Sequence, residues 1–121
     1  MLLMCQSVLH DLDFKYDSQD EFVTGIIQCT QAFNAVIPPQ HRLVIVVSVA
    51  QAALESNWGK SRFAQLGNNF YGIIETDLEE PHLTALGNPD VHLKVYDKKC
   101  YSVADYLTLL NTSPLFKEYR N

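Results

Sequence analysis

The feature that most constrains this chain is the segment from Leu43 to Leu54, in which only Ser48 and Gln51 are polar, closed by Glu55-Ser56-Asn57-Trp58-Gly59. A run this apolar must leave water, and it is too short to span a membrane, which takes about 20 such residues. Val44-Ile45-Val46-Val47 suits a strand as well as a helix. The length of the run and its alanine-rich second half favour a central buried helix that starts near Gln40–Arg42 and reaches about Ser56. Glu55 then ends an apolar element beside an indole. A carboxyl group in such surroundings has its charged form disfavoured, so it holds a proton toward neutral pH and can act as a general acid, as cleavage of a glycosidic bond requires. Trp58 is expected to wall that pocket. The competing reading is a helix-end glutamate pointing into water.

At 121 residues the chain is long enough for one domain, and 47% hydrophobic with 19% charged residues is ordinary for a packed fold. The net charge of −5 argues against a nucleic-acid surface, which needs a basic patch. Cys5, Cys29 and Cys100 are odd in number, without a C-x-x-C pair or a histidine at zinc-ligand spacing. That points away from a disulfide framework and from a structural metal. One long-range disulfide stays open, and three unpaired thiols are the simpler reading. Met1-Leu-Leu-Met-Cys5 is too short for a signal-peptide core, and no apolar run is long enough for a transmembrane segment.

Along the chain, residues 1–17 read as a short helix or arm and Ser18-Gln-Asp-Glu21 as a capping box. Phe22, Ile26 and Phe33, with Val23 and Ile27, repeat at helical spacing to about Ala35, and Pro38-Pro39 stops that helix. Ser61 caps a short helix, Arg62–Leu66, closed by Gly67. Phe70–Ile74 and Val91–Tyr96 read as short strands separated by an acidic loop, with His92, Lys94 and Tyr96 sharing one face. Ser102-Val-Ala-Asp105 opens a helix to about Asn111, and Ser113-Pro114 another. The fold class is mainly α with a small β-hairpin lobe: a helical part at 18–66, the lobe at 67–100 and C-terminal helices at 101–121. His10, His41, His82 and His92 are scattered and read as surface residues. Ser56 and Ser61 lack a base partner, and no phosphate-binding glycine loop occurs.

The run Ala50-Gln-Ala-Ala-Leu-Glu-Ser-Asn-Trp-Gly-Lys-Ser-Arg-Phe-Ala64, followed by Gly67-Asn-Asn-Phe-Tyr-Gly72, resembles the signature of the Bax-like and flagellar-type peptidoglycan glucosaminidases. Tyr96-Asp97 and the stretch from Ser102 to Pro114 extend the likeness, which runs from roughly Ile37 to Arg120. The resemblance implies an α+β, lysozyme-like fold with a cleft between helical and β parts, and it supports the helical reading of the apolar run. It implies hydrolysis of the β-1,4 bond after N-acetylglucosamine in peptidoglycan glycan strands, without metal or cofactor, in the periplasm or cell envelope. It makes Glu55 the acid and puts a second acid in the β-lobe. Glu75-Thr-Asp77-Leu-Glu79-Glu80 supplies the candidates, Glu75 first and then Glu80; no clear copy of the Thr-Glu element of flagellar-type members is present. The substrate's own acetamide is the other possible nucleophile.

Asn69, Tyr71, Tyr96 and Tyr106 are the expected sugar contacts, since amides read hydroxyl and acetamido groups and phenol rings stack on pyranose faces. Tyr106 reads equally well as core. The resemblance also implies more helix and an active-site tyrosine beyond Asn121. Two other readings stay open: a lytic transglycosylase, which also uses one catalytic glutamate in a lysozyme-like fold, and a non-catalytic glycan-binding or interaction module. An incomplete domain with exposed apolar surface at 114–121 is a further one.

Overall fold

The computed structural model describes residues 12–42 and 44–112. The expected helix from Ser113, the 114–121 surface and residues 1–11 of the arm lie outside them.

Helix α1 spans Gln19–Val36. The Ser18 hydroxyl accepts from the Glu21 N–H at 3.1 Å, as the capping box predicts, while the Glu21 carboxylate reaches one residue further back, to the Asp17 N–H at 2.9 Å. Phe22, Gly25, Ile26, Cys29, Thr30 and Phe33 are buried, one face of an amphipathic helix. Ile37 is extended, as a residue before proline must be, and ends it.

The apolar run departs from expectation in two ways. Its helix, α2, begins only at Ile45, after a 3-10 turn at Pro39–His41, and ends at Ser56. Nor is it buried all round. The buried face carries Ser48, Ala52, Ala53 and Ser56, whereas Val46 and Leu54 are 71% and 76% exposed. Small side chains let α2 approach α1 closely, and the contact includes a hydrogen bond of 3.0 Å between the Thr30 and Ser48 hydroxyls.

Helix α3, Arg62–Gly67, is capped by Ser61, whose hydroxyl accepts from the Ala64 N–H at 3.3 Å. The left-handed residue that closes it is Asn68 and not Gly67. Gly67 serves close packing instead: a Cβ there would stand 3.2 Å from Leu83 and 3.3 Å from Val95.

The β-lobe is a hairpin of β1, His82–Ala85, and β2, Asn88–Lys94, antiparallel with Leu83 opposite Leu93 and Thr84 opposite His92. Strand β1 lies within the segment expected to be loop. The expected strand at Phe70–Ile74 reduces to a single bridge between Ile74 and Leu93, because its backbone is drawn into a side-chain bracket described below. Helix α4, Lys99–Thr112, starts earlier than expected, and Ser102 sits inside it, donating back to the Lys99 carbonyl at 3.0 Å.

The core joins Phe22, Ile26 and Phe33 of α1 to Phe70 and to Val103, Leu107 and Leu110 of α4. Cys29 and Cys100, both fully buried, form a disulfide between α1 and the start of α4, with Cα atoms 5.1 Å apart. This corrects the reading of three unpaired thiols: the pairing is made by helix packing across 71 positions, which spacing cannot display. Replacing both cysteines by alanine is expected to lower the unfolding free energy by about 2–4 kcal/mol, read as the midpoint of urea denaturation. An unchanged midpoint would mean that the bond contributes nothing to the fold.

Candidate active site

Glu55 stands in the last turn of α2, and the chain reverses immediately after it. Asn57, Trp58 and Gly59 all have left-handed backbones, with φ of 51°, 57° and 78°. A non-glycine residue there costs on the order of 1–3 kcal/mol, and the surroundings must impose it. The buried Ser56 hydroxyl does so by donating to the Ala52 carbonyl at 2.6 Å and accepting from the Gly59 N–H at 2.8 Å. The Trp58 N–H bonds the Ala53 carbonyl at 2.9 Å. The Gly59 carbonyl takes hydrogen bonds from the Tyr16 hydroxyl and the Gln65 amide at 2.7 and 2.6 Å. A Cβ on Gly59 would lie 2.5 Å from Tyr16, so sterics and φ both demand glycine.

Glu55 itself is exposed. The apolar enclosure expected for its carboxyl is not provided by the described residues, and Trp58, expected as its wall, is half-buried against the core cluster. What lies beside Glu55 is the next motif. Its Oε2 is 3.7 Å from where a Cβ on Gly72 would stand, and Gly72 has φ of 68°. The carboxylate therefore lies within ordinary contact distance of a residue without a side chain, and a side chain there would be strained by the positive φ.

Asn69 builds that loop. It is fully buried, and its amide donates to the Ile73 and Lys94 carbonyls at 3.0 Å each. Its Oδ1 accepts from the Tyr71 and Ile73 N–H groups at 3.3 and 3.1 Å. No capacity is left for a sugar, so the expected substrate contact is instead a bracket. Tyr71 is likewise turned inward. Its ring stacks on Tyr106 with centroids 4.1 Å apart and planes 5° from parallel, and its hydroxyl meets Ser48 at 2.9 Å. Because Thr30 donates to the Ile26 carbonyl, Ser48 donates to Thr30 and Tyr71 to Ser48. Burial pushes the Tyr71 phenol far above its usual range.

In the β-lobe, Glu75 runs alongside β2, its N–H bonded to the His92 carbonyl at 2.9 Å, and its carboxylate accepts from the Asp77 N–H at 3.1 Å. Tyr96 donates to Asp105 Oδ2 at 2.6 Å, and the Lys94 ammonium reaches the same oxygen at 3.2 Å. Burial, then the Asp105 hydrogen bond and charge, then the Glu75 charge raise the Tyr96 phenol well above its usual range. Glu80 is exposed in the turn before β1, its N–H bonded to the Asp77 carbonyl at 3.0 Å. His82 and His92, read as scattered, meet edge to face at 4.9 Å across the hairpin. Among the described residues no three His, Cys, Asp or Glu side chains could together hold a metal, and no helix is long and apolar enough to cross a membrane.

Asp105, Ser48 and Thr30 were not among the expected site residues. A signal for Ser48 existed: a lone hydroxyl in an apolar run needs a buried partner. Asp105 lies in the stretch that extends the likeness, but its partners Lys94 and Tyr96 are set by tertiary packing, which local sequence does not display.

Residues 39–121 match the family described as glucosaminidase, mannosyl-glycoprotein endo-beta-N-acetylglucosaminidase. The chain belongs to the glucosaminidase family. Among curated relatives, two Streptococcus pneumoniae proteins (strains TIGR4 and R6), each named "Putative endo-beta-N-acetylglucosaminidase", are 49% identical over 43 residues, which is 36% of this chain and 6% of theirs. Among solved structures, the catalytic domain of the autolysin Auto from Listeria monocytogenes superposes with a TM-score of 0.61 at 21% identity, over 93% of this chain and 67% of that one. The glycoside hydrolase domain of Salmonella typhimurium FlgJ gives 0.62 at 23% identity, over 80% and 63%. These likenesses show that the α+β fold is shared.

For this glucosaminidase-family domain, Asn69→Ala is expected to cost about 3 kcal/mol or more, because the Tyr71 and Ile73 N–H groups and the Lys94 carbonyl lose their partner together while the Ile73 carbonyl keeps only the Lys94 N–H. Urea denaturation measures it, and a cost under about 1 kcal/mol would remove the bracket role. Tyr16, Tyr71 and Tyr96 all have raised phenol pKa values. Their contribution to stability is whole below pH about 10, where unfolded phenols begin to ionise, and is lost as pH climbs above it. Tyrosinate absorbance of these residues should thus appear together with unfolding; ordinary titration in the folded protein would contradict the burial described.

Proposed function

We propose that this domain is a peptidoglycan hydrolase, an endo-beta-N-acetylglucosaminidase that cleaves the β-1,4 bond after N-acetylglucosamine with Glu55 as general acid. The observation that carries the reading is the seat of the Glu55 carboxylate over Gly72, between an enforced left-handed turn and the bracketed 69–75 loop. Such construction fixes the backbone on both sides of the carboxylate while leaving the side chain open to a large ligand. Bound glycan displaces water from around Glu55 and brings the leaving oxygen within reach of its carboxyl, as general acid catalysis requires.

Glu75 in the β-lobe is the second group of this mechanism, as base or as support for the oxocarbenium-like transition state, unless the substrate acetamide takes that part. The chemistry calls for no metal or cofactor. The net charge of −5 gives no steering toward an anionic wall polymer, so recognition rests on the cleft. The buried disulfide fits an oxidising compartment, which supports a periplasmic or cell-envelope location.

Incubation with purified peptidoglycan, followed by mass spectrometry of the soluble products, tests this. Wild-type protein should release fragments with N-acetylglucosamine at the reducing end, and Glu55→Gln should lower the rate by about 10²–10⁴-fold. Products lacking one water would identify a lytic transglycosylase, and no products from wild type a binding module. Glu75→Gln at full rate would leave the acetamide as the second group.

A further inference from the structure

Two adjacent residues of α4 reach the two halves of the site. Helix geometry turns successive side chains by about 100°, so neighbours on a helix contact different elements. Tyr106 stacks on Tyr71, the residue before Gly72, over which the Glu55 carboxylate sits. Asp105 binds Tyr96 at 2.6 Å and Lys94 at 3.2 Å. The Lys94 N–H bonds the Ile73 carbonyl at 2.9 Å, and the Glu75 N–H bonds the His92 carbonyl at 2.9 Å. One path thus leads from α4 to Glu55 and the other to Glu75. Helix α4 is a fit anchor, being disulfide-linked to α1 one turn earlier and buried through Val103, Leu107 and Leu110.

We propose that Asp105 and Tyr106 are positioning residues that together set the separation of Glu55 and Glu75. This rests on those two carboxylates being the working pair. Carboxylate spacing decides what a glycosidase can do, since it determines whether a water fits between acid and base, and a misplacement of about 1 Å can cost about 10²-fold in rate. The opposing view is that Asp105 makes an ordinary surface ion pair. Its side chain is 24% exposed and that of Lys94 31%, so the pair by itself contributes little to stability. The two views differ in what removal does: loss of a surface pair changes almost nothing, whereas loss of a brace lowers rate more than stability.

The test uses the purified chain on soluble N-acetylglucosamine–N-acetylmuramic acid oligomers, with Asp105→Ala, Asp105→Asn, Tyr96→Phe and Tyr106→Ala. Asp105→Ala and Tyr106→Ala should each lower kcat about tenfold or more with KM within about twofold, the pattern of a lost transition-state arrangement. Asp105→Asn keeps an acceptor for Tyr96 and should recover part of the loss; Tyr96→Phe should reproduce part of it. Amide hydrogen exchange gives a reading independent of turnover. In Asp105→Ala the Glu75 and Lys94 amides should exchange about tenfold faster while those of α1 stay unchanged. Unaltered kcat and exchange would overturn the proposal, as would a raised KM with kcat intact, which would make these residues glycan contacts. Should Asp105→Ala fail to fold, Asp105→Asn and Tyr96→Phe decide by the same readings. If wild type releases nothing, the functional reading fails on its own account. Exchange then decides the brace: selective loosening at Glu75 supports it and no loosening overturns it.

Discussion

The buried side chain of Asn69 is the interaction on which the remainder of the site depends. Four hydrogen bonds from one amide fold residues 69–73 into a compact loop and fasten it to the Lys94 carbonyl. Without that fastening the segment would be free to extend as a strand along β2. With it, the backbone turns at Gly72, brings a bare glycine under Glu55, and only afterwards runs beside β2 to deliver Glu75. The glycine beneath Glu55 and the course of the chain to Glu75 thus depend on one uncharged residue. A buried amide with all its partners present specifies a single arrangement, because each lost bond leaves a desolvated group behind.

The turn after Glu55 works by the same economy. Three successive left-handed residues are unfavourable in isolation, and the strain is carried by Ser56 from within and by Tyr16 and Gln65 from outside. Tyr16 also packs edge-on against Phe22 and Phe70. The N-terminal arm therefore contributes to the site through a core aromatic cluster. Backbone strain of this kind persists only where the surroundings impose it.

Much of this was legible in the residues themselves. The capping box at Ser18 and Glu21, the apolar face of α1 and the Ser61 cap are local signals, written in spacings of three and four, and the structure reproduces them. The departures arise where tertiary packing supplies the decisive partner. Strand β1 hides between Pro81 and Gly87 in a stretch whose charges suggest loop, and pairing with β2 makes it a strand. The disulfide joins positions that only helix packing brings together. Leu54 and Val46 face outward because α2 packs through its small residues, a choice that hydropathy cannot anticipate. Asn69 and Tyr71 carry chemistry suited to sugars, yet burial spends it on the protein.

The Cys29–Cys100 bond has a topological consequence. Helix α2 with Glu55, the bracketed loop, Glu75 and the whole hairpin lie between the two cysteines. A protease that cuts this stretch, for instance at the exposed Leu86-Gly87 tip of the hairpin, opens a ring and does not release a fragment. The pieces remain one covalent molecule, each held at high effective concentration beside the other, so nicked chains keep the means to stay assembled.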